Sequence, residues 1–315
     1  MLKKINYLYV IFSIFNFYLL SACGDTGGLF QSKIDGEEFH DPQEVELKKY
    51  YNKLEERKIA LGLLRQDGGG LDTPFDIDDI VEAFKKLAFY NEHEIEKNVL
   101  SSNSKEVNLS KWQSAINVSV RFGKSVADDQ KDRDLKEIKK LLIILSQVTK
   151  HKINISQQNE NLYVLIASQK EIIELLNEIA LRQPEFNPKE IPIIDRLPLD
   201  IHCMAMTTVS PAPYSEIKSA LVILRSELPK NMRRACIHEE ISQSMGLTND
   251  SHLARPSIFN DDDEFATLTQ FDQILLQILY DPRLQSGVSR QQGSQHLTDI
   301  ATDIVDSLKE LPKTQ

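Results

Sequence analysis

Glu239, Glu240, Gln243, Asn249 and Asp250 stand close together in the string EEISQSMGLTND, Glu239 to Asp250. Each offers side-chain oxygen. A positioned carboxylate can serve as a general base, and Glu240 is the candidate for that role. Glu239 and Gln243 are four residues apart and share a helix face. Oxygen donors suit hard ions such as Ca²⁺ or Mg²⁺, but two ligands on one rigid helix make poor calcium geometry. Three arrangements stay open, in order of preference. In the first, Glu240, Gln243, Asn249 and Asp250, with Glu239 beside them, form a hydrogen-bonded network that fixes the helix to its turn. Such a network stabilises only if every member is satisfied. In the second they line an empty polar cleft. In the third a divalent metal binds, with His238 and Glu239 as candidate ligands. No cofactor is expected.

The helix that carries them must bury Ile237, Ile241 and Met245, and Gly246 suits its C-terminal cap. That stripe is also compatible with a merely solvated Glu239–Gln243 face. His238 reads as a surface or capping histidine. The acidic run Asn260 to Glu264 lacks calcium-loop spacing and reads as a solvated turn. Arg233, Arg234 and His252 are candidates for the same cleft that spacing alone does not place. Trp112, the only tryptophan, reads as core or edge packing. There is no glycine-rich phosphate loop and no Ser/His/Asp signature.

The elements before the motif alternate in period. Val45 to Arg65 carries Leu47, Tyr51, Leu54, Leu61 and Leu64 near helical spacing, and Asp67-Gly68-Gly69-Gly70 breaks it. A helix capped by Asp76 runs through IDDIVEAFKKLAFYNEHE. Ile116, Val118, Val120 and Phe122 alternate as a half-buried strand. Leu135, Ile138, Leu142, Leu145 and Val148 stripe a long helix, and NLYVLIAS is the next strand. Ser168 and Glu171 fit a capping box before IIELLNEIAL. HCMAMTTVS and SALVILRS are strands, followed by the motif helix NMRRACIHEEISQSMG. Thr269 and Asp272 open another helix, and Leu297, Ile300, Ile304 and Leu308 stripe the last. This order predicts an α+β or α/β fold with a modest twisted sheet, one face packed by the long helix and the motif helix.

The motif spacing resembles H-E-x-x-H-x-x-G-x-x-H of the metzincin branch of zinc metalloproteases, in which two histidines share a helix face and a glutamate polarises the metal-bound water. Glu239, Gln243 and Asn249 fall on the three ligand positions, Glu240 on the catalytic glutamate and Gly246 on the turn glycine. Ser257-Ile258-Phe259 falls on the methionine turn, with Phe259 at the methionine, and LTQFDQILLQILYDP resembles the helix that follows. A rival register, His238-Glu239 with Ser242, misplaces Gly246 and is disfavoured. The chain is also similar to an uncharacterised family of bacterial envelope proteins, a domain of unknown function. TPFDIDDIVEAFKKLAFYNE, KWQSAINV, CIHEEISQSMGLTND, SIFNDD and LYDPRL carry that resemblance, over roughly Thr73 to Val288. The metzincin resemblance implies an α+β, zincin-like (metzincin-like) domain with a small twisted mixed sheet, and the family resemblance carries over no known activity.

Lys3, Lys4 and an apolar run from Ile5 to Leu20 read as a secretory signal, and Leu20-Ser21-Ala22-Cys23 resembles a bacterial lipobox. Cys23 is the expected lipidation site, and its acyl chains would anchor the protein stably in the membrane. By resemblance to Gram-negative lipoproteins, Gly24 after it, in place of an aspartate, favours the outer membrane, with the protein facing the periplasm. Of the three cysteines, Cys203 and Cys236 then remain as a pair for a disulfide in an oxidising compartment. The net charge of −10 becomes −12 without Lys3 and Lys4, and no basic stripe stands out, so nucleic acid is not an expected partner. The expected organisation is signal 1–22, lipidated tether 23–43, N-terminal helix and glycine linker 44–70, and domain 71–315. The expected function is binding of a peptide or envelope protein by a domain that has lost zinc catalysis. The alternatives are an atypical hydrolase using Glu240 as base, or a purely structural envelope protein.

Overall fold

Leu162–Ala167 is apolar at every position, and every one of its side chains is buried. A strand without an alternating pattern belongs in the middle of a sheet covered on both faces. The computed structural model places it there, and describes residues 42–91, 94–96, 99–101, 104–182, 194 and 198–310. All of these belong to one compact unit, residues 40–315. The signal segment, Cys23 and the tether up to residue 41 lie outside the described residues.

In chain order, α1 (Pro42–Ala60) and α2 (Ile77–Ala88) come first. The short strands β1 (Tyr90–Asn91) and β4 (Lys105–Glu106) pair with each other, as do β2 (Glu94–Glu96) and β3 (Val99–Ser101). Then follow β5 (Lys111–Trp112), β6 (Ile116–Phe122), α3 (Asp128–Thr149), β7 (Ile153–Ile155), β8 (Leu162–Ala167), α4 (Gln169–Arg182), β9 (Cys203–Val209) and β10 (Glu216–Arg225). The motif helix α5 (Lys230–Gln243), α6 (Gln270–Leu279) and α7 (Arg290–Glu310) complete the described chain. The fold is mixed α+β with a mostly parallel central sheet: β7, β6, β8 and β10 run parallel in that order. β5 pairs parallel with the start of β10, and β9 pairs antiparallel along it.

Leu162, Val164 and Ile166 of β8 face the larger core, with Ile138, Leu141 and Leu145 of α3 and Ile237 and Ile241 of α5. Tyr163 and Leu165 face the smaller one, under Ile172, Leu176 and Ile179 of α4. The expected packing of α3 and α5 on one face is therefore present. Two of the caps read from the sequence form as well. Asp76 accepts from Asp78 and Asp79 N–H, and Thr269 with Asp272 makes a full capping box.

Two helices are shorter than their sequence pattern. α1 ends at Ala60, not Arg65, because Gly62 (φ 78°) and Leu64 (φ 58°) turn left-handed. Leu64 and Arg65 N–H then bond to the carbonyls of Asp263 and Glu264 instead of continuing the helix. α2 ends at Ala88, since Phe89 leaves the helical path and is fully buried edge-on to Phe84. Among the described residues, no helix is long and apolar enough to cross a membrane.

Candidate functional site: an acidic cleft between the motif helix and the edge strand

α5 starts after Pro229, which offers no side-chain cap. Its free N–H groups are met from α1: one oxygen of Glu55 accepts from both Asn231 and Met232 N–H at 2.8 Å. An anion there also suits the positive end of the helix. The N-terminal helix thus packs on the domain, which its sequence left open. Tyr51, fully buried, donates its hydroxyl to the carbonyl of Leu199, and Lys58 pairs with Asp263.

Three faces of α5 do three jobs. Ile237 and Ile241 enter the core. A second face meets α3. There Arg233 Nε lies 2.9 and 2.8 Å from the two oxygens of buried Asp134. His238 Nδ1 accepts from Leu268 N–H at 3.0 Å, so the ring proton sits on Nε2, 3.2 Å from Glu137. That bond, chief among its causes, holds the Glu137 carboxyl below the usual range. The third face carries Glu239, Glu240 and Gln243 and looks onto an open cleft of about 290 Å³. Cys203, Met204 and Ala205 of β9 form the opposite wall, and a disulfide joins Cys203 to Cys236 of α5, Cα to Cα 5.9 Å. The expected pairing is the one the structure contains, and it ties the edge strand to the motif helix.

The end of α5 is held from several sides. Trp112 Nε1 donates to the Ser244 carbonyl at 2.8 Å, and the Tyr280 hydroxyl donates to that of Met245 at 3.1 Å. Burial pushes the Tyr280 phenol far up. Lys111, which burial lowers to about 8, points its ammonium at the carbonyls of Leu279 and Asp281 that close α6. Gly246 has φ 122°, and an added Cβ would lie 2.1 Å from the Ser110 carbonyl oxygen. Only glycine fits that turn. Beyond it, Gln243 Nε2 donates to Asp250 at 2.7 Å, whereas Asn249 Nδ2 donates to the Lys86 carbonyl at 3.0 Å, near the end of α2. Fully buried Asp272 accepts from the Ser257 hydroxyl and from the N–H groups of Ile258 and Thr269. Burial raises it to about 6. The segment at Phe259 is thereby held in place, with Phe259 fully buried.

The structure therefore gathers Glu239, Glu240, Gln243 and Asp250 at one cleft and leaves Asn249 out of it. His238, expected at the surface or as a cap, is buried on the opposite side, where it accepts from Leu268 N–H just before α6. Arg233 and Arg234 face α3, Arg234 3.5 Å from Glu137. His252 does not line the cleft. On the Glu239–Gln243 face, Gln243 is buried and Glu239 half-buried, so the face is only partly solvated.

Ligand atoms of Cys203, Glu239 and Glu240 lie within 4.8 Å of one another, the one metal-capable group among the described residues. The Cys203 sulfur is committed to the disulfide and is no thiolate. Two carboxylates remain, fewer than the three protein ligands of a catalytic zinc. Sequence reasoning missed Asp200, His202, Asp261 and Asp263, which also line the cleft. The run Asn260 to Glu264 carried the signal for two of them. Its placement depends on the pairing of residues 64–65 with residues 263–266, which no local pattern shows. Burial lowers the pKa of His202 and favours its neutral form.

The family described as "Protein of unknown function (DUF2927)" matches residues 78–299, from α2 into the first half of α7. No curated protein and no solved structure matches the chain.

Proposed function

We propose that this chain, which belongs to that family of proteins of unknown function, is a lipid-anchored envelope protein whose metzincin-like domain binds a peptide or protein partner in the cleft between β9 and α5. In this reading zinc catalysis is lost. The Gln243–Asp250 hydrogen bond carries it. Gln243 stands where the second histidine of a zinc site would be, and its amide is committed to closing the turn. The order of elements supports the same reading: strand, long helix, two strands, a helix, an antiparallel edge strand, one further strand, then the motif helix. In zincins the edge strand beside the motif helix receives peptide as an added strand.

The test is a soluble form beginning at Gly24, purified without chelators or a histidine tag and measured for bound metals by elemental mass spectrometry. No stoichiometric metal, and none gained from added zinc or calcium, is the expected result. A stoichiometric transition metal would overturn it. For the anchor, incorporation of a labelled fatty acid should disappear in Cys23→Ala.

A second reading is favoured by one observation: Glu239 and Glu240 face the cleft side by side, with Glu240 buried. As a hydrolase, the protein would use Glu240 as general base. Glu240→Gln should then abolish turnover and leave the melting temperature nearly unchanged. A purely structural role predicts neither turnover nor binding in the unaltered protein.

A further inference from the structure

The edge strand β9 is paired on one side. Among the described residues, β10 is its only strand partner, and no other backbone hydrogen bond reaches Cys203–Val209. Such an edge is a template for an added strand. The half of β9 that forms the cleft wall is surrounded by the carboxylates of Asp200, Glu239, Glu240, Asp250, Asp261 and Asp263, and among the described residues no lysine or arginine lines the cleft. The chain itself places a lysine at the rim, where Lys58 of α1 pairs with Asp263. An ammonium on a long stem is thus already accommodated there.

We infer that the occupant of this cleft is an extended segment with lysine or arginine at alternate positions, added as a strand to the open edge of β9. This rests on the reading of the cleft as a peptide groove and names what the groove selects. Alternate residues of a strand point to one face, so every second side chain would reach Glu239, Glu240 or Asp261 while the backbone pairs with β9. Backbone pairing gives affinity without sequence preference, and the carboxylates choose the charge. The net charge of −10 assists the approach of a cation.

The experiment measures fluorescence anisotropy of labelled nonapeptides with the full chain in a neutral detergent. One peptide alternates lysine with valine. In two others serine or glutamate replaces lysine. A fourth is the lysine peptide N-methylated at alternate backbone amides. The lysine peptide should bind roughly tenfold or more tightly than the serine and glutamate peptides, and N-methylation should cost a similar factor. The variant Glu239→Gln/Asp261→Asn should narrow the preference for lysine over serine to about two- or threefold at unchanged melting temperature. If that double variant is unstable, Asp261→Asn alone, at an exposed position, serves with half the effect. Equal binding of the serine and lysine peptides overturns the charge selection and leaves the groove intact. Undiminished binding of the N-methylated peptide shows attraction to an acidic surface only and overturns strand addition. Failure of all four peptides overturns this inference together with the groove reading beneath it.

Discussion

Gly246→Ala is the sharpest test of how the motif is built. The alanine Cβ would sit 2.1 Å from the Ser110 carbonyl oxygen and 3.2 Å from its carbon, with the backbone at φ 122°. A non-glycine residue in that region costs about 1–3 kcal/mol. Relief of the overlap must move backbone rather than a flexible side chain, which adds roughly 1–3 kcal/mol. The expected loss is therefore about 3–5 kcal/mol. Gly62→Ala is the control. It also has positive φ, 78°, but no atom within 4 Å of the new Cβ. Its cost should be about 1 kcal/mol, a backbone penalty partly offset by the lower entropy of the unfolded chain. Urea unfolding followed by Trp112 fluorescence reads both, because this single tryptophan is buried and bonded to Ser244 at the same turn. Equal losses in the two variants would refute the steric argument. The Gln243–Asp250 bond spans the altered turn, so peptide affinity should fall in Gly246→Ala and not in Gly62→Ala.

Non-reducing peptide mapping should show Cys203 linked to Cys236, and reduction should lower stability by about 3–4 kcal/mol for the 33-residue separation; two free thiols would contradict it. Asp134→Ala should cost about 3–5 kcal/mol by leaving Arg233 buried without its carboxylate, and a loss below about 1 kcal/mol would show that the pair adds little. Asp272 is raised from 3.8 to about 6, so its protonated form favours the fold; its contribution is complete below the unfolded value and lost as pH rises through 6. Relative to Asp272→Asn, which does not titrate, the unaltered protein should lose about 2 kcal/mol between pH 4 and pH 7, and parallel pH profiles would refute this.

Much of the fold was legible because its determinants are local. A capping box spans four residues, and Thr269 with Asp272 announces α6 without any tertiary help. The stripe of α3 and the unbroken apolar run of β8 likewise report one element each. The disulfide was legible by counting. The orientation of the motif side chains was not. Asn249 and Asp250 are adjacent, yet one turns to α2 and the other to Gln243. The burial of His238 was not legible because nothing nearby in sequence reveals Glu137 and Leu268 as its partners.

By itself, then, the sequence determined the elements, the motif helix with its glycine turn, and the pairing of Cys203 with Cys236. Tertiary structure alone decided which oxygens share a cleft. Helical period says which residues lie on one face of α5, but not what that face meets. Asp200, Asp261 and Asp263 reach it from segments far away in the chain, and α1 caps it across more than a hundred residues with Glu55. Such contacts exist only once the core has closed and buried the surfaces between them, so no window of sequence contains them.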